Sequence, residues 1–208
     1  MTFAPFGERP AKSHLSEMPS MEPRQAKGAA PDMEIRICGV GDAKKAVFKN
    51  PGVWNVLSIS SPGHDYFDEL AQQACADFQK LCFDDVRSNR DQEGKGKVPT
   101  EADVRKAIEF AANKSMILVH CLAGISRSSA IAFIVACAKG LDPFEAAERI
   151  LDPATHAPNP LIVRLGAEIL GDPRISNAYE NFENVANMFH QQRDALGSND
   201  GWKENRLV

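Results

Sequence analysis

The chain has 208 residues, a net charge of −4, 43% hydrophobic and 25% charged residues. That is the make-up of a soluble globular domain with a real core, and the slight acidic excess gives no support to a nucleic-acid or anionic-membrane surface. No apolar run approaches the roughly 20 residues of a membrane span, and the N-terminus lacks the apolar stretch of a secretory signal. The five cysteines form no C-x-x-C pair, so neither a disulfide scaffold nor a zinc site is expected. The chain reads as cytoplasmic, with reduced thiols and no metal or cofactor.

Residues 1–33 carry Pro5, Pro10, Pro19, Pro23 and Pro31 and few large aliphatics. They read as a flexible leader, and the polar residues 196–208 as a tail, around a domain at 34–195. Within it, Glu34–Gly39 alternates polar and apolar as a strand does. Asp42 is placed to cap a short helix over Ala43–Phe48, and Asn50-Pro51-Gly52 is a turn. Val53–Ile59 reads as a buried strand, closed by Ser60-Ser61-Pro62-Gly63. Tyr66–Phe78 has helical spacing, with Phe67, Leu70, Ala71, Ala74 and Phe78 on one face. Lys80–Val86 reads as a strand ending in Asp84 and Asp85, and Arg87–Pro99 as a surface loop. Thr100 and Asp103 mark a helix start with Val104, Ala107, Ile108 and Ala111 as its apolar stripe. Met116–His120 is a strand. Ser128–Lys139 reads as a helix, and its Ala130–Cys137 stretch is apolar nearly all round, as a buried helix is. Asp142-Pro143, Asn159-Pro160 and Asp172-Pro173 each open a further helix by cap and proline. The last of these points Ile175, Tyr179, Phe182, Val185 and Phe189 at the core. Strands alternating with helices, then a run of helices, predict an α/β fold with a mainly parallel sheet of about four to five strands flanked by helices. Ligands bind at the carboxyl ends of such strands.

Between the strand and the buried helix lies His120-Cys121-Leu122-Ala123-Gly124-Ile125-Ser126-Arg127-Ser128. A tight loop at a helix N-terminus aims backbone N–H groups at one spot, where the helix dipole favours negative charge. A cysteine in that field is a competent nucleophile, and Arg127 adds a planar fork suited to two phosphoryl oxygens.

This run resembles the H-C-x-x-G-x-x-R-[ST] signature of the cysteine-dependent protein tyrosine phosphatases. Its A-G-I-S-R-S-S wording is most similar to the dual-specificity branch, including small bacterial members. The resemblance spans roughly residues 34–195 and concentrates at 81–86 and 116–137. It implies a phosphotyrosine phosphatase-like fold and a phosphomonoester hydrolase in which Cys121 attacks phosphorus and forms a phosphocysteine. Arg127 and the amides of Leu122, Ala123, Gly124, Ile125 and Ser126 would bind the phosphoryl oxygens. Ser128 would donate to the sulfur and ease its departure, and His120 would help set the loop. The family places its general acid, an aspartate, on a loop after an earlier strand. Asp85 is favoured over Asp84; Asp91 fits the family's spacing better but has no strand to position it, and no proline precedes the acid as the family pattern would have it. Implied substrates are phosphorylated proteins (phosphotyrosine, with phosphoserine and phosphothreonine for dual specificity) or small phosphomonoesters. Lipid and inositol phosphatases of the superfamily often carry lysines in the loop, and this loop has none, which disfavours polyanionic substrates; Arg87, Arg90, Lys95 and Lys97 on the flanking loop leave them open. A later loop around Asn159 could return to the site and orient water. Cys82 could approach Cys121 to form a protective disulfide, although a core thiol is the plainer reading; Cys38, Cys75 and Cys137 read as core. The competing readings are a phospho-binding pseudophosphatase without turnover, and a sulfur-transfer enzyme of the rhodanese type, against which Arg127-Ser128 and the upstream carboxylates argue.

Overall fold

The computed structural model describes residues 33–88 and 96–195; the expected leader, the tail and Asp91 lie outside them. Four strands form one parallel sheet: β1 (Glu34–Gly39), β2 (Asn55–Ser60), β3 (Asp77–Cys82) and β4 (Met116–Cys121), in the order β1-β4-β2-β3. The α/β architecture expected of the sequence is the one that forms. Helices α1 (Val40–Lys49) and α2 (Glu69–Gln73) cover one face. The other carries α3 (Glu101–Ala111), α4 (Arg127–Ala138), α5 (Pro143–Ile150), α6 (Pro160–Leu170) and α7 (Arg174–Ala195). Ala43, Val47, Trp54, Val56, Phe67 and Leu118 fill the first layer; Leu57, Ile59, Ile117, Val119, Phe133 and Ile134 belong to the larger core on the second.

Local chemistry set several boundaries as read. Thr100 and Asp103 form a full capping box on α3. Asp142 and Asn159 cap α5 and α6 with proline in the first turn, and Gly171 closes α6 at φ +62°. Every residue of α4 from Arg127 to Ala136 is buried, because α3, α5, α6 and β4 all pack on it.

Tertiary pairing overrode the pattern elsewhere. The helix expected over Tyr66–Phe78 shrinks to α2, capped by the Asp68 carboxylate, and Leu70 is exposed. Phe78 instead joins the ladder opposite Val56 and stacks on Phe67 at 5.8 Å; six ladder residues outweigh one helical stripe. Consequently β3 begins at Asp77 and ends at Cys82, so Asp84 and Asp85 lie past the strand. Helix α1 starts at Val40 rather than Ala43: Gly39 is its N-cap, so the expected cap Asp42 lies inside the first turn and pairs with Lys45, while the Val40 N–H donates to Leu122 O at 3.1 Å. On α7, Val185 and Phe189 are exposed, while Ala186 is buried. All five cysteines are free thiols, Cys82 included. Cys38, Cys75 and Cys137 are half-buried at the edges of the cores, and burial pushes their thiols up to about 11, 11 and 12 respectively.

Candidate active site

β4 carries Cys121 as its last residue, in register with Gly39 of β1, and α4 begins at Arg127. The five residues between fold back over the end of β1. Gly124 makes this possible: its φ is +81°, and a Cβ there would stand 2.5 Å from Cys38 C and Gly39 N.

The loop turns carbonyls outward. Leu122 O accepts from Val40 N, Ile125 O from Ala157 N, and Ser126 O from Asn159 N and Ala130 N. Ser129 Oγ donates to Ile125 O and Ser126 O as well. Conversely, the amides of residues 122, 123 and 125–127 donate to no backbone carbonyl among the described residues. They are the free donors an anion would take at this helix start.

Cys121 Sγ is nearly enclosed and receives the Gly124 N–H at 3.2 Å, with Ser128 Oγ at 3.3 Å. Both groups can stabilise negative charge on sulfur. The guanidinium of Arg127 is buried, and Nη1 donates to Phe83 O at 3.0 Å and Ser61 Oγ at 3.2 Å. Those bonds lock the fork against the ends of β2 and β3, and among the described residues Nε and Nη2 are not engaged. His120 is fully buried on β4, stacked on Phe67 at 4.6 Å, with Nδ1 3.3 Å from Cys121 O. Burial pulls its pKa from 6.5 down to about 4, so the imidazole is neutral at pH 7 and brings no positive charge to the loop. Its Nε2 and the hydroxyls of Ser58 and Ser60 are buried without a protein partner among the described residues.

The two carboxylates sort themselves by contact. Asp84 N donates to Lys97 O at 2.7 Å and Asp84 Oδ2 accepts from Lys97 N at 2.7 Å. Asp84 thus pairs with Lys97 through both its backbone and its side chain. Asp85 turns to the loop, where its Oδ1 accepts from Ser126 Oγ at 2.8 Å and from Asn159 Nδ2 at 2.7 Å. The structure therefore brings together Cys121, Ser126, Arg127, Ser128 and Asp85. Leu122 and Ala123 sit exposed on the rim, Ile125 is half-buried, and Gly124 is buried. Sequence reasoning missed Ser61, whose only signal is its place past β2. It also missed that Asn159 holds a carboxylate; the Asn-Pro pair announces a helix cap and nothing more.

Among the described residues no helix is long and apolar enough to cross a membrane, and no cluster of His, Cys, Asp or Glu could hold a metal ion. A shallow groove lined by Phe48, Asp68, Glu69, Leu70 and Gln73 lies at the far end of α1 from the loop.

No family model and no curated protein matches the chain. Among solved structures, a crystal structure of PTPMT1 in complex with PI(5)P is similar at a TM-score of 0.47, with 16% identity over 76% of this chain and 97% of that one. A second crystal structure of PTPMT1 is similar at a TM-score of 0.39, with 18% identity over 76% of this chain and 96% of that one.

Proposed function

We propose that this chain is a cysteine-dependent phosphomonoester hydrolase of the protein tyrosine phosphatase type. The observation that carries the reading is Cys121 Sγ set between the Gly124 amide and the Ser128 hydroxyl, at the start of a helix where the amides of residues 122, 123 and 125–127 donate to no backbone carbonyl among the described residues.

The chemistry runs in two displacements. Sγ attacks phosphorus in line; the P–S bond forms as the P–O bond breaks, and Asp85 gives the leaving oxygen a proton. Arg127 and the free amides hold the three equatorial oxygens and the charge that grows on them. Water then attacks the phosphocysteine, Asp85 takes its proton, and the P–S electron pair returns to sulfur. Ser128 Oγ donates to the departing sulfur at this step. His120, neutral and walled in, acts only through the loop's shape.

The substrate we favour is a phosphorylated protein, with phosphotyrosine the best fit and phosphoserine or phosphothreonine as dual-specificity targets. Exposed Leu122 and Ala123 give the rim an apolar surface for an aryl group. Arg127 is the loop's one cation, which suits a single phosphate rather than a polyanion. A nucleophilic thiol needs a reducing setting, so we place the enzyme in the cytoplasm.

Hydrolysis of phenyl phosphate or a phosphotyrosine peptide is the test. Wild-type turnover that Cys121→Ser abolishes supports the reading. Tight tungstate binding without turnover would make the chain a phospho-binding module instead.

A further inference from the structure

Asn159 does more than a helix cap requires. Its side-chain Oδ1 accepts from Leu161 N at 3.0 Å and Ile162 N at 3.2 Å, which is the capping role. Aspartate, serine or threonine could supply that oxygen. What asparagine adds is an amide nitrogen with two hydrogens. Both are spent on the acid segment: Nδ2 donates to Asp85 Oδ1 at 2.7 Å and to Val86 O at 3.1 Å. Every donor and acceptor of this fully buried side chain is used. Its orientation is also fixed, since a flipped amide would set oxygen against two acceptors and NH2 against two N–H groups.

Ser126 is the matching case from the other side. It is the N-cap residue of α4, yet its side chain makes no cap bond. Its hydroxyl goes instead to Asp85 Oδ1 at 2.8 Å. The two donors converge on one carboxylate oxygen, whose two in-plane lone pairs they occupy.

We propose that Asn159 is a positioning residue for Asp85: with Ser126 it saturates Oδ1, so that Oδ2 is the oxygen that gives and takes the proton. The inference rests on the phosphatase reading above. In the first displacement the electron pair of the breaking P–O bond stays on the leaving oxygen, which collects the proton from Oδ2. In the second, the proton of the attacking water returns to Oδ2 as the P–S pair goes back to sulfur. Because Ser126 also lends its backbone amide to the phosphoryl cradle, one residue sets the distance between acid and phosphorus.

The test is the leaving-group dependence of kcat/KM over aryl phosphates, from dinitrophenyl to phenyl. Asn159→Asp keeps a capping oxygen and replaces the donor with a second carboxylate. Displacing a catalytic group by ~1 Å costs about a hundredfold, so phenyl phosphate should lose about tenfold to a hundredfold. Dinitrophenyl phosphate, whose leaving oxygen needs little protonation, should stay within about threefold, because only the acid's contribution of about 10²–10⁴ is at stake. Ser126→Ala, which removes the other donor and no helix cap, should steepen the dependence in the same sense. On an Asp85→Asn background, Asn159→Asp should add no further loss. Equal losses on both substrates, undiminished phenyl phosphate hydrolysis, or a further loss on the Asp85→Asn background would overturn the positioning role alone. A wild-type protein inactive on every substrate, or turnover retained by Cys121→Ser, would overturn the phosphatase reading and this inference with it.

Discussion

Gly124→Ala isolates the close approach that builds the loop. The residue sits at φ +81°, where an L side chain costs about 1–2 kcal/mol. Its new Cβ would meet Cys38 C and Gly39 N at 2.5 Å and Cys38 O at 2.8 Å. These are backbone atoms, so no rotamer change relieves them. Ordinary contact lies near ~3.5–4 Å, so the loop or the end of β1 must move by about 1 Å, at about 1–3 kcal/mol of overpacking. The total is about 2–5 kcal/mol, and a domain of this size loses about 2–4 °C of Tm per kcal/mol. A drop of about 10 °C is expected in a thermal scan. The Gly124 amide itself donates to Cys121 Sγ at 3.2 Å, so the same movement should lower aryl phosphate turnover by about a hundredfold. Gly52→Ala is the control. It has φ +74° and nothing within 4 Å of the added Cβ, so it carries the conformational cost without the clash. If Gly124→Ala were as stable as Gly52→Ala and as active as wild type, the packing of loop on strand would not be what shapes the site.

Three further outcomes are expected. Asp85→Ala should lower kcat/KM on phenyl phosphate by about 10²–10³, whereas Asp84→Ala should cost about 1 kcal/mol in a urea titration through the lost bond to Lys97 N and little in rate. A larger rate loss from Asp84→Ala would exchange the two assignments. Ser128→Ala should leave the first displacement nearly intact and slow the second, so that a stopped-flow burst of phenol precedes a slower steady state; loss of the burst would remove Ser128 from the sulfur's departure. His120 has a folded pKa of about 4 against 6.5 free. The unfolded chain therefore takes up the proton first as pH falls. Stability from this residue is full above pH 6.5 and drains away toward pH 4, by at most about 3 kcal/mol. Burial also pulls His156 downward, adding in the same direction. Urea unfolding across that range should show the slope, and His120→Asn should remove most of it.

The sequence made the site legible where its chemistry is local. The loop from Cys121 to Ser128 is contiguous, and a strand and a helix must flank it for its amides to converge. Proline-marked caps fixed α5 and α6 for the same reason: Asp142 and Asn159 bond to amides two or three residues on. Legibility failed where remote pairing decides. The segment Tyr66–Phe78 carries a genuine helical stripe, and only the ladder with β2 draws Phe78 out of it. The roles of Asp84 and Asp85 could be ranked but not settled, because each is defined by a partner distant in the chain: Lys97 for one, Ser126 and Asn159 for the other. On α7, Phe189 keeps the seven-residue spacing from Ile175 and Phe182 and is still exposed, so the pattern within the helix does not mark where its burial stops.

The strand order has a consequence for how the molecule is made. Among the described residues β1 pairs with β4 alone, and β4 lies between β1 and β2. A chain leaving the ribosome therefore releases its first strand long before any neighbour for it exists. β2 and β3 can pair as soon as both have emerged, but β1 waits until residues 116–121 appear. Long-range parallel pairing of this kind is slow. Its completion seats the first strand, lays Gly124 on Gly39, and brings Cys121 into place in one event. Newly made chain thus has no assembled Cys121 loop until the sheet itself is finished, and recovery of the proposed turnover after denaturation should track the last strand to enter rather than the first to form.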